Sequence, residues 1–87
     1  MDFERLEEFA LVAQHGSIKK AALELGISSA TLSARLIRFE EHLGTPLFIR
    51  KADAMVLTAA GEQLLPSAQE IVASYQGLRK SMHSVQD

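Results

Sequence analysis

Apolar residues recur every three or four positions along most of this 87-residue chain, the spacing of amphipathic helices. From Asp2 to His15, Leu6, Phe9, Ala10 and Ala13 stand at i, i+3, i+4 and i+7, and Gly16 breaks the run. Glu4, Glu7 and Glu8 fall toward its start, where the helix dipole favours anions. This helix is expected to be structural, with Phe9 as the large side chain that fills the core. A second, shorter run follows: Ser17 caps it, Ile18, Ala21, Ala22 and Leu25 repeat the stripe, and Gly26 stops it. The third run, 28–44, carries Leu32, Leu36, Phe39 and Leu43 on one face, with a cap at Ser28 or Ser29 and an end at Gly44 before Pro46.

Two short helices joined by a turn with glycine form a helix-turn-helix, in which the second helix enters the major groove of DNA and the first braces against the backbone. The outer face of the second helix suits that role. Ser29, Ala30, Ser33, Ala34 and Arg38 are small, polar or basic, so this surface can approach another closely. The plainer reading of the same pattern is an ordinary pair of packed helices.

After Gly44 the period changes. Thr45 to Arg50 is short and rich in β-branched and aromatic residues, Met55-Val56-Leu57 is a second apolar run, and Lys51 to Ala54 is a turn-like gap. Paired, these runs predict an antiparallel hairpin, a wing that places Arg50 and Lys51 beside phosphates. Thr58 then caps a long helix from Ala59 to Val85. Its residues Leu64, Ala68, Ile71, Tyr75, Leu78, Met82 and Val85 alternate steps of four and three, a heptad seam. The helix is either folded back on its own core or paired with a second chain. Its length favours the second, because about three heptads exceed what so small a core can cover. The expected fold is therefore mainly α: a winged helix-turn-helix of three helices plus a β-hairpin over 1–58, then a linker and dimerisation helix over 59–87.

Composition changes this picture little. Hydrophobic residues make up 47% of the chain, enough for one small domain. No window has the apolar length of a membrane span and the start lacks the pattern of a signal peptide, so a cytoplasmic location is expected. Cysteine is absent, which excludes disulfides and thiolate metal sites. The net charge of −2 counts against nucleic-acid binding, but its distribution does not. Residues 1–16 carry Asp2, Glu4, Glu7 and Glu8 against Arg5, net −3. Residues 17–51 carry Lys19, Lys20, Arg35, Arg38, Arg50 and Lys51 against Glu24, Glu40 and Glu41, net +3. A patch this weak predicts low non-specific affinity that falls steeply with salt.

The ordered set Leu6, Phe9, Gly16-Ser17-Ile18, Ala21-Ala22, Leu25-Gly26-Ile27-Ser28, Ser33, Arg38, Glu40 through Arg50 and Leu57-Thr58-Ala59-Ala60-Gly61 resembles the N-terminal DNA-binding domain of LysR-type transcriptional regulators. The match runs over nearly the whole chain. It implies a winged helix-turn-helix that binds double-stranded DNA at imperfect palindromes near promoters, as a homodimer through the linker helix, with tetramers open to a full-length protein. It also implies a larger C-terminal effector domain outside these residues, so the chain is expected to be a fragment that senses no small molecule by itself. Carried over by position, Ser29, Ala30, Thr31, Ser33 and Ala34 face the bases, and Arg35 stands beside them. Arg38 and Arg50 grip phosphates, with Lys19, Lys20 and Lys51 adding field. Blander roles stand beside these: a cap for Ser29, solvation for Thr31, Arg35, Lys19 and Lys20. The chain departs from the family at the readout positions. Ser29-Ala30 replaces a common Gln-Pro, Ala34 an arginine, and Ala52-Asp53-Ala54 basic or glycine residues.

An enzyme is the weakest rival. His15, His42 and His83 lie in separate elements without ligand spacing, so no catalytic residue, metal or cofactor is expected. The stronger rival is a winged-helix module that holds a protein partner without binding DNA, which the acidic balance and the missing glutamine support.

Overall fold

The two middle helices begin and end where the sequence supplies a cap. In a computed structural model describing residues 2–86, the order is α1 (Asp2–His15), α2 (Ile18–Leu25), α3 (Ser29–Leu43), β1 (Phe48–Lys51), β2 (Ala54–Leu57) and α4 (Ala59–Gln86). The outer limits expected for the two units, Met1 and Asp87, lie outside the described residues. Ser17 Oγ accepts the Lys20 N–H at 3.2 Å, and Ser28 Oγ accepts the Thr31 N–H at 3.1 Å, each satisfying an orphan donor of a first turn. Gly44 closes α3 with φ of 78°, a left-handed conformation that costs a glycine little, and its N–H returns to the carbonyls of Glu40 and Glu41.

The core lies where α1, α2 and α3 meet. Phe9, Val12, Leu32 and Leu36 are almost completely buried, Ala21 and Ala22 allow α2 to approach closely, and Phe39, Leu47, Phe48 and Ala68 close the ends. On α1 the most buried residues are Glu8, Phe9 and Val12, whereas Leu6, Ala10 and Ala13 are only half-buried. The stripe is thus rotated from the predicted one. The physical reason is that α1 is covered from two sides, by α2 and α3 and by α4, so the centre of its buried arc falls between Phe9 and Val12.

The two strands pair antiparallel, Phe48 with Leu57 through Lys51 with Ala54, around a turn at Ala52 and Asp53. Pairing therefore begins three residues later than the apolar run from Thr45. That segment is held otherwise. Glu40 Oε2 accepts the N–H groups of Leu47 and Phe48 at 2.6 and 3.1 Å, and the Thr45 N–H returns to the Glu40 carbonyl. The ring of Phe48 packs 5.4 Å from that of Phe9, tying the wing to α1.

Thr58 fastens the wing to α4. Its N–H donates to the Leu47 carbonyl, its hydroxyl donates to the Pro46 carbonyl at 2.8 Å, and the same oxygen accepts the Gly61 N–H at 3.1 Å. Gly61 is buried against the Leu47 carbonyl and Leu57, where a Cβ has no room. From there α4 runs 28 residues without interruption, through Pro66, and packs mainly on α1 through Ala60, Leu64, Leu65 and Ala68. The first of the two alternatives left open by its sequence holds for the start of the helix. Leu64 and Ala68 are taken up by the chain's own core, which shortens the available seam, because the small Ala68 lets α1 come close. Ile71, Tyr75, Leu78, Met82 and Val85 remain exposed. Among the described residues no helix is long and apolar enough to cross a membrane.

Candidate nucleic-acid interface

The outer face of α3 is set by its cap. Ser28, not Ser29, takes the N-cap position, and its hydroxyl also donates to Thr31 Oγ1 at 2.9 Å, which orders the first turn. Ser29, Ala30, Thr31 and Ala34 are exposed, and Ser33 is half-buried on the flank. Since Leu32, Leu36 and Phe39 face the core, the exposed arc from Ala30 to Ala34 points away from it. This arc carries no charge. Its donors are short hydroxyls, and its alanines offer methyl groups.

Basic residues gather in two places. Lys19 at the start of α2 and Arg50 and Lys51 of the wing line one groove of about 450 Å³ together with Ser17 and Asp53. The groove exists because the Met55 N–H donates to the Gly16 carbonyl at 3.0 Å, holding β2 against the turn between α1 and α2. Lys20 is exposed on the next position of α2. Asp53 sits in the same groove and subtracts one charge from it. Arg38 is elsewhere, beside Arg5, Arg35 and His42 around a smaller depression of about 260 Å³. The sequence-predicted residues thus form one uncharged face and two basic clusters.

Arg35 is the position whose surroundings differ most from expectation. Its Nη1 donates to Glu8 Oε2 at 2.7 Å, across 27 positions of sequence, and the side chain is half-covered. Glu8 is 4% exposed. The same Oε2 accepts from Arg5 Nη2 at 3.3 Å, while Arg5 Nε stands 2.8 Å from Glu8 Oε1, close enough for charge pairing but not aligned for a hydrogen bond. Two guanidinium groups thus share one buried carboxylate, the condition under which such burial is tolerated. The sequence held one signal for this: Glu8 stands one turn before Val12, on the face that is buried. Glu40 was equally hidden, being counted only as charge while it serves as the acceptor that starts the wing. A third acid, Glu24, pairs with His15 at 2.9 Å on the surface. Among the described residues no three His, Cys, Asp or Glu side chains come together to hold a metal ion.

The family described as bacterial regulatory helix-turn-helix protein, lysR family, matches residues 3–62. The chain is similar to the uncharacterized HTH-type transcriptional regulator YusT of Bacillus subtilis (strain 168), 39% identical over 79 residues that cover 91% of the chain and 27% of YusT. It thus spans about a quarter of that regulator's length. In structure it resembles a full-length OxyR variant from Pseudomonas aeruginosa, with a TM-score of 0.90, 29% identity and coverage of 100% of this chain and 30% of that one. It also resembles the protein of the CbnR_DBD–DNA complex, with a TM-score of 0.81, 31% identity and coverage of 97% and 99%.

Proposed function

Because the chain belongs to the lysR family of bacterial regulatory helix-turn-helix proteins, we propose that it is the DNA-reading unit of a transcriptional regulator. In this reading α3 lies in the major groove of double-stranded DNA. Ser29, Ala30, Thr31, Ser33 and Ala34 meet base edges, the hydroxyls by hydrogen bonds and the alanines against thymine methyl groups. Arg38 holds phosphates on one side, and Lys19, Lys20, Arg50 and Lys51 on the other, so the register is set by the backbone and the sequence by the small residues between. The observation that carries the reading is the uncharged, exposed arc of α3 on a molecule with two basic clusters, in a chain that is 31% identical to a domain solved with DNA.

Residues 2–58 form the reading head, and the part of α4 beyond Ala68 serves a homodimer through Ile71, Tyr75, Leu78, Met82 and Val85. The protein works in the cytoplasm, and any small-molecule effector acts through a domain outside these residues. Catalysis is not part of its role. Selection of duplexes from a randomised pool by the purified chain at low salt tests the function. Enrichment of a two-fold-symmetric site is expected; no enrichment by a folded dimer would replace the reading with a protein-interaction module.

A further inference from the structure

The only charged side chain on the first half of α3 is Arg35, and its guanidinium is turned onto a buried carboxylate of α1. We propose that Glu8 is a positioning residue that withholds Arg35 from DNA, so that α3 reads with small uncharged side chains alone. This rests on the DNA-reading role proposed above. Three observations support it. Glu8 is buried at 4% exposure, so its charge needs a fixed partner, and the 2.7 Å bond to Arg35 is the shorter of its two guanidinium hydrogen bonds. Arg5 approaches from within α1 itself, which leaves Arg35 as the link between α1 and α3. Finally, Arg35 stands one helical turn before the exposed Arg38, and both line the same depression. Freed from Glu8, its guanidinium extends along the flank that carries Arg38 and reaches the same run of phosphates.

A carboxylate in this position therefore shapes the interface without touching it. It removes one cation from the DNA-facing surface and fixes the rotation of α3 against α1. The salt dependence of binding separates this from a merely structural role, because loss of stability lowers affinity without changing the number of phosphates contacted. The test measures binding of the chain to a fluorescent mixed-sequence duplex by anisotropy over a salt series, with folding of each variant checked by circular dichroism. Arg35→Ala is expected to leave the log–log slope of the wild type unchanged. Glu8→Met, which fills the site but accepts no hydrogen bond, is expected to steepen it by about one unit, as one added phosphate contact does. The double variant is expected to return to the wild-type slope. A slope flattened by about one unit in Arg35→Ala overturns the inference, since the side chain would already be on phosphate. A folded Glu8→Met chain with the wild-type slope overturns it as well, and should Glu8→Met not fold, Glu8→Gln, which keeps the size but loses the charge, is read in its place. A wild-type chain that binds no duplex at low salt overturns the DNA reading itself, and the inference with it.

Discussion

The ring of Tyr75 in α4 packs against the ring of Phe3 in α1, 4.5 Å between centroids and tilted by 50°. Tyr75 therefore supports its own chain while its remaining surface, 43% exposed, continues the apolar seam. Leu78, one turn later, is 57% exposed. Leu78→Asp is expected to convert the dimer to a monomer in sedimentation while leaving the fold of the head intact. Tyr75→Asp is expected to do the same and also to lower the melting temperature, because it removes the Phe3 contact. A Leu78→Asp chain that sediments as an intact dimer removes the seam from the interface.

Gly61 admits no side chain. A Cβ there would stand against the Leu47 carbonyl and 2.8 Å from Leu57 Cδ2, so Gly61→Ala must push α4 off the wing. The overpacking is expected to cost about 1–3 kcal/mol despite the better helix propensity of alanine. In a domain of this size each kcal/mol lowers the midpoint by roughly 4–8 °C, which thermal unfolding reads directly.

Glu40 accepts two wing N–H groups with a single oxygen. Glu40→Ala leaves both without their partner, and a loss of about 1–3 kcal/mol is expected. Glu40→Gln keeps a carbonyl acceptor of the same reach and is expected to lose less. Equal losses for the two variants would mean that the carboxylate's charge, rather than its acceptor, holds the wing.

Arg38 and Arg50 belong to separate clusters. Replacing either with alanine is expected to weaken binding across all duplexes alike and to flatten the salt dependence by about one unit, and the two effects should add. An unchanged slope for either variant takes that side chain off the phosphates.

Helix limits were legible in the sequence because they are written in local chemistry. Ser17, Gly26, Ser28 and Gly44 act on residues within one turn of themselves, and each stands at an observed end. The hairpin was legible as an element but not in register, since the segment from Thr45 to Leu47 is held by Glu40 rather than by a strand partner. The Glu8–Arg35 pair was legible only at one end. The place of Glu8 one turn before Val12 marks the buried face, but nothing local points to a partner 27 positions away. The heptad seam misled in part for the same reason. Spacing places Leu64 and Ala68 on the same stripe as Leu78, yet only the tertiary packing of α1 decides which part of the stripe stays open.

Thr58 also makes the wing and α4 one mechanical part. A helix of 28 residues is about 42 Å long, most of the molecule's 48 Å length, and its first turn is bolted to Pro46, Leu47 and Leu57 by hydrogen bonds and by the tight fit at Gly61. Yet α4 is also held along α1, by its packing as far as Ala68 and by the Tyr75–Phe3 contact, so the wing, α1 and the first half of α4 are tied to one another at several points rather than at the hairpin alone.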